Sequence, residues 1–388
     1  MPRGLTLLVA LALAAEVRAD ALDFGRASAV IAGVLEWADP DLEDFDKEGR
    51  KDEALAALLL KRGVPESRLR LLLDGKATRR AFLEAVEAAG RATPRGGWLI
   101  VYFAGHGIQL DDGRVALALS DARDATIASS GLLLDELRDR IQRTLGCTGA
   151  RCPRDRARRV LLLGDACYSG GLGDVAERLA ANGIPSVALT SSEASNDSTI
   201  NWTYTQALLE ALSGSALADT DRDGRITLSE ASQEVRASLL YREHQRWGFK
   251  AVRVSEELEL ARVERPLGRA RMPRGYTLGG YASVGDEVVR LVGMSGRQVV
   301  VSYFDYSERS DEKVSPRRLR PIRFETFPVG SKLRVVWEDE CWDAVVDRVD
   351  GPFHFVSYPE WDHSWDEWVT DDRVISGRER CPKAPKTR

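Results

Sequence analysis

Between Arg26 and Val263 the chain repeats one pattern: a short run of continuously apolar residues, then a stretch with apolar residues at helical spacing. A run of four to seven apolar residues without alternation is a strand covered on both faces, and helices must do the covering. The pattern predicts strands over 29–35, 68–73, 97–103, 160–163 and 186–189, and helices over 52–61, 79–89, 134–144 and 204–212. It confines this part of the chain to an α/β sheet with helices on both faces. Chemistry in such sheets collects at the carboxyl ends of the strands.

Length extends the reading. The 388 residues exceed one average domain, and 44% hydrophobic with 30% charged residues is the composition of a folded chain. A net charge of −5 gives no basic field for nucleic acid. Four His are too few for a His-rich metal site. Residues 1–19 read as a signal peptide: Arg3 leads an apolar run from Leu5 to Ala15, and Val17 and Ala19 supply the small residues before a cut. The run is too short to span a bilayer, and no later segment is long enough, so no stable membrane span is expected. The expected location is exported, periplasmic or secreted. There cysteines pair. Cys147 with Cys152 and Cys341 with Cys381 are the candidate pairs, which leaves Cys167 outside both.

Cys167 lies where the chemistry is expected. The third apolar run ends in Ala104-Gly105-His106-Gly107, and the fourth in Asp165-Ala166-Cys167-Tyr168-Ser169-Gly170. A thiol is only a few per cent ionised near pH 7 and needs a base beside it. Neighbouring parallel strands would bring His106 to Cys167. The backbone N–H groups of Gly107 and Cys167 then become donors to an acyl oxyanion. Asp165 stands two residues before Cys167, on the same side of the strand end, where a carboxylate attracts a cationic substrate side chain. His244 follows no strand and is expected to be a solvated surface residue.

These residues carry a resemblance. Tyr102-Phe103-Ala104-Gly105-His106-Gly107 and the Asp165–Gly170 run, in this order after apolar strands, are similar to the two motifs of the caspase-like cysteine peptidases, specifically the metacaspases and their bacterial orthocaspase relatives. The resemblance covers about residues 24–262 and extends to the runs at 71–79, 191–199 and 207–212. It implies a caspase-like α/β/α sandwich with Cys167 as nucleophile and His106 as general base and acid, in a dyad that requires no cofactor. It also implies that Asp165 forms part of a pocket for Arg or Lys, with an acid from the following loop. Asp197 is the best-placed match, ahead of Asn196 and Glu193. The expected substrate is therefore a peptide or protein with Arg or Lys before the scissile bond.

Residues 219–230 fit a twelve-residue EF-hand loop, with Asp219, Asp221 and Asp223 at positions 1, 3 and 5, Gly224 at 6, the Arg225 carbonyl at 7 and Glu230 at 12. Calcium is the cofactor this spacing suggests; the same residues would also cap and turn between two helices without it.

A basic linker over 263–275 follows the peptidase-like segment of residues 20–262. Its arginines, and the stretch from Cys147 to Arg159, are expected sites of self-cleavage. Beyond it, residues 276–323 and 324–378 read as two related β-modules. Val284-Gly285 aligns with Val329-Gly330, and Ser302-Tyr303 with Ser357-Tyr358. Five of the nine Trp fall in the second copy: Trp337, Trp342, Trp361, Trp365 and Trp368. The run from Val329 resembles the Tudor-knot or chromo-barrel modules, small SH3-like β-barrels. That resemblance implies an aromatic cage of Trp342, Tyr358, Trp361 and Trp365, with Trp337 and Trp368 in the core. A protein, peptide or envelope ligand is the expected partner. The competing expectation is a catalytically inactive caspase-like scaffold that works through these modules.

Overall fold

The computed structural model describes residues 20–146, 157–193, 196, 201–266, 271–304, 309–337 and 340–375. The expected leader 1–19, Cys147, Cys152, Asp197 and Cys381 lie outside the described residues.

The first half alternates as its apolar runs require. β1 (Ala27–Gly33), α1 (Asp52–Lys61), β2 (Leu69–Leu73), α2 (Arg79–Ala92) and β3 (Trp98–Ala104) come first. A small sheet follows, formed by β4 (Gly107–Gln109), β5 (Val115–Leu117) and β6 (Leu132–Leu133), with the single turn α3 (Ile127–Ser130) inside it. Then come α4 (Leu134–Leu145), β7 (Arg159–Asp165), α5 (Leu172–Ala181), β8 (Ser186–Thr190), α6 (Thr203–Ser213), β9 (Arg225–Thr227), α7 (Leu228–Glu243), β10 (Gly248–Val252) and β11 (Glu259–Arg262).

The main sheet runs β10-β8-β7-β3-β1-β2, parallel throughout except for β10 at one edge. Every residue of β1 and β3 is buried. Alternate side chains feed two cores: Val30, Val101, Phe103 and Leu162 pack against α2, α4 and α5, while Ile31, Tyr102, Leu161 and Leu163 pack against α1, α6 and α7. The period-two alternation of a strand and the helical spacing of the connections thus give a three-layer α/β arrangement.

Two five-stranded antiparallel sheets follow: β12 (Tyr281–Val284), β13 (Glu287–Ser295), β14 (Gln298–Phe304), β15 (Arg309–Val314) and β16 (Leu319–Arg320); then β17 (Lys332–Trp337), β18 (Glu340–Asp350), β19 (Phe353–Ser357), β20 (Glu367–Val369) and β21 (Val374–Ile375). SH3-like β-barrels were expected; the described residues form two small antiparallel sheets with the same strand order, β15-β14-β13-β12-β16 and β20-β19-β18-β17-β21. Each long second strand carries a bulge, at Leu291/Gly293 and at Val346/Arg348. The Tyr303 hydroxyl donates to Glu312 at 2.8 Å, and that of Tyr358 to Glu367 at 2.7 Å.

The expected alignment of Val284-Gly285 with Val329-Gly330 is wrong. Gly279 is the counterpart of Gly330, because their N–H groups donate, each at 2.7 Å, to the pre-bulge carbonyls of Leu291 and Val346. Gly285 instead turns β12 into β13, where its φ of 65° suits glycine.

Candidate active site

β3 and β7 are neighbours, with Ala104 opposite Asp165. Their carboxyl ends open into one cleft of about 210 Å³, lined by His106, Cys167, Asp165, Gly105, Asn201 and Trp202, with Leu35, Glu43 and Phe45 closing the other side. The chain turns sharply at both ends: Gly105 has φ 146°, and Tyr168, directly after Cys167, is left-handed at φ 54°. A β-carbon on Gly107 would stand 1.9 Å from the Cys167 carbonyl oxygen, so only glycine lets the two strand-end loops touch.

His106 is held by three groups that local sequence patterns do not reveal. Its Nε2 lies 2.8 Å from the Glu43 carbonyl oxygen. A carbonyl only accepts, so Nε2 carries the proton and the neutral ring keeps Nδ1 as its basic nitrogen. Trp37 and Phe45 flank the ring, each with centroids 4.4 Å away. Burial pulls the imidazole below its ordinary pKa, partly offset by the Glu43 carbonyl and by Glu43, Asp124 and Asp44. Near neutral pH the ring is therefore a neutral base. Cys167 is half-buried and is not in a disulfide, whereas Cys341 is disulfide-bonded.

Asp165 sits beneath the same cleft. Thr205 Oγ1 donates to its Oδ2 at 2.5 Å, and the Tyr102 hydroxyl lies 2.7 Å from that Thr205 oxygen. Burial pushes the carboxyl up to about 7; the Thr205 and Ser191 hydrogen bonds oppose this, and the Glu243 charge adds to it. A carboxyl so placed ionises when a cation arrives beside it. Glu193, considered as the second acid, instead accepts a hydrogen bond from Arg246 at 2.8 Å.

His244 is not a solvated surface residue. It ends α7 in a left-handed turn, with Nδ1 3.1 Å from Asp372 of the second small sheet, and that carboxylate raises its pKa.

In the acidic loop, one carboxylate oxygen from each of Asp219, Asp221 and Asp223 lies within 4.8 Å of the others. Asp219 is buried, and its Oδ1 has no hydrogen-bond partner, so the site suits a hard cation. Glu230 does not join them. Its carboxylate accepts from Thr227 N at 2.9 Å and Thr220 N at 2.8 Å, capping α7 and closing the loop. The Arg225 guanidinium pairs with Asp223 at 2.5 Å.

Of the expected cage, three members come together: Trp342 and Trp361 at 5.2 Å, and Trp361 and Trp365 at 5.4 Å between centroids. Trp361 and Trp365 are 47% and 56% exposed. Tyr358 instead belongs to the core of the sheet. Trp337, expected inside, is exposed beneath Arg373, and Trp368 packs against Arg246.

No family model matches the sequence, and no curated protein matches it. Among solved structures the chain is similar to protein GSU0716 from Geobacter sulfurreducens, at 16% identity and TM-score 0.40 over 57% of this chain and 92% of that one. It is similar to the Drosophila initiator caspase Dronc, at 10% identity and TM-score 0.38 over 61% and 83%. It is also similar to caspase-1 from Spodoptera frugiperda, at 14% identity and TM-score 0.40 over 63% and 93%.

Proposed function

We propose that the chain is a caspase-like cysteine endopeptidase that cuts after Arg or Lys. The observation that carries the reading is the single cleft at the ends of β3 and β7, which holds an imidazole, a thiol and a buried carboxyl together. His106 takes the Cys167 proton, and the sulfur attacks the peptide carbonyl carbon. The N–H groups of Gly107 and Cys167 receive the oxyanion. His106 then gives its proton to the leaving amine as the C–N bond breaks, and water, deprotonated by the same ring, resolves the thioester to acid and thiol. Asp165 receives the Arg or Lys side chain.

The three clustered tryptophans serve a binding role for a protein, peptide or envelope ligand. The disulfide at Cys341 agrees with an exported protein. Asp219, Asp221, Asp223 and the Arg225 carbonyl would hold Ca²⁺ in the acidic loop, with Glu230 as a further ligand only if released from its capping bonds.

Fluorogenic peptides ending in Arg, Lys or Asp test the reading, with Cys167→Ala as blank. Turnover of the Arg and Lys peptides alone, lost in the variant, is expected. Equal rates for wild type and variant would overturn it.

A further inference from the structure

Four consecutive residues, the last of α7 and the three that follow it, reach in two directions. Glu243 accepts from Asn201 Nδ2 at 3.0 Å and from the Thr203 hydroxyl; Asn201 lines the cleft. His244 meets Asp372, in the second small sheet. Gln245 donates to the Ser191 carbonyl, and the Ser191 hydroxyl accepts from Ala166 N at 3.1 Å, one residue before the nucleophile. Arg246 joins Glu193 at 2.8 Å to Asp350 at 2.7 Å, with its guanidinium 4.1 Å from the Trp368 ring. Two residues thus hold the cleft wall, one holds the second sheet, and the fourth spans both.

A second path is shorter. Asn196 donates its side-chain amide to the Trp368 carbonyl at 2.8 Å and accepts from Trp368 N at 3.2 Å, a two-way pairing with β20. Its own carbonyl accepts from Tyr168 N at 2.9 Å, the residue that follows Cys167. Fixed in this way, the edge of β20 lies two hydrogen bonds from the nucleophile's turn.

We propose that the second small sheet is a built-in part of the substrate site, and that Glu243, Arg246 and Asn196 are positioning residues that transmit its docking to the wall of the Arg/Lys pocket. The inference rests on the peptidase reading for its substrate, but not for the mechanical link. A sheet that served only as a tether would need none of these contacts. Here they converge on the turn after Cys167, on Ser191 and on Asn201, and leave His106 alone. The docked sheet therefore sets substrate affinity more than the chemistry of the dyad.

The test uses the full chain with Asp350→Asn, at the end of β18, and Asp372→Asn, in the turn between β20 and β21, combined and both outside the residues that line the cleft, and separately Asn196→Ala. Each removes two polar contacts that are exposed or partly buried, for which a KM rise of about three- to tenfold on an Arg peptide is expected. Neither kcat nor the rate of Cys167 alkylation by iodoacetamide changes. Amide hydrogen exchange over residues 166–168 and 201–205 speeds up. Unchanged exchange in both variants overturns the inference, and so does faster exchange with an unchanged KM. If the wild type cleaves no Arg or Lys peptide, the peptidase reading falls on its own, and the exchange measurement still decides whether the sheet holds the wall.

Discussion

On the proposed reading, Asp165 makes the preference for a cationic side chain depend on pH in a calculable way. Its carboxyl is pushed up to about 7 by burial, so in the empty cleft it is mostly neutral at pH 5 and mostly ionised at pH 8. A guanidinium bound beside it lowers that pKa by about one to three units. Arg binding therefore releases a proton over this window, and affinity rises with pH up to about 7. Each unit below that costs about tenfold, or about 1.4 kcal/mol, until the bound-state pKa is reached. The assay compares kcat/KM for two peptides identical except for Arg or the uncharged citrulline before the cut. Titration of His106 and Cys167 affects both alike and cancels in the ratio. From pH 8 to pH 5 the Arg/citrulline ratio should fall about ten- to a hundredfold, according to whether the cation lowers the carboxyl by one unit or by three. In Asp165→Asn the ratio should be near one and flat. A wild-type ratio that does not change with pH, or an Asn variant that keeps the slope, would refute the assignment of Asp165 to the cation.

Gly107→Ala puts a methyl 1.9 Å from the Cys167 carbonyl, where backbone must move, so kcat should drop by about a hundredfold while circular dichroism shows a folded chain. Phe45→Ala removes one side of the His106 sandwich and rehydrates the ring. Burial lowers the His106 pKa, so its loss raises that pKa and shifts the acid limb of the kcat/KM profile to higher pH, together with a lower kcat. Ca²⁺ at about a hundred times its Kd should stabilise the fold by about 2.7 kcal/mol, a Tm rise of about 5–10 °C, which Asp221→Asn abolishes in a chelator-controlled melt.

The α/β framework and the strand-end position of His106 and Cys167 were legible because they rest on local signals: unbroken apolar runs, and a glycine-flanked His and a Cys directly after two of them. The parts that tune the site were not. Glu43 acts through its carbonyl, which has no residue identity to read, and Trp37 and Phe45 sit in an acidic loop where nothing local marks them as partners of His106. The polar run from Glu243 to Arg246 has the composition of a solvated surface, and only the docked second sheet makes it an interior hub. In the repeat, a Val-Gly pair matched two positions with different jobs, because Gly285 between two strands and Gly330 ahead of the first strand both take a positive φ that favours glycine. The resemblance to Tudor-knot modules puts Tyr358 in the cage, yet its hydroxyl reaches Glu367, so it serves the sheet as Tyr303 serves its twin.

The first small sheet is fastened by a different means from the second. Arg290 leaves β13 and is buried against α6 and α7, with both terminal guanidinium nitrogens 2.5 Å from Glu234, a third contact to Glu210 at 3.3 Å and a hydrogen bond to the Leu217 carbonyl at 2.9 Å. Tyr281 stacks on Tyr241 beside it. Covalent continuity through residues 263–275 is then not what keeps the two halves together. A cut among those arginines would leave a nicked particle that migrates as one species under native conditions and as two only after denaturation, so maturation by self-cleavage would be invisible to any measurement of particle size.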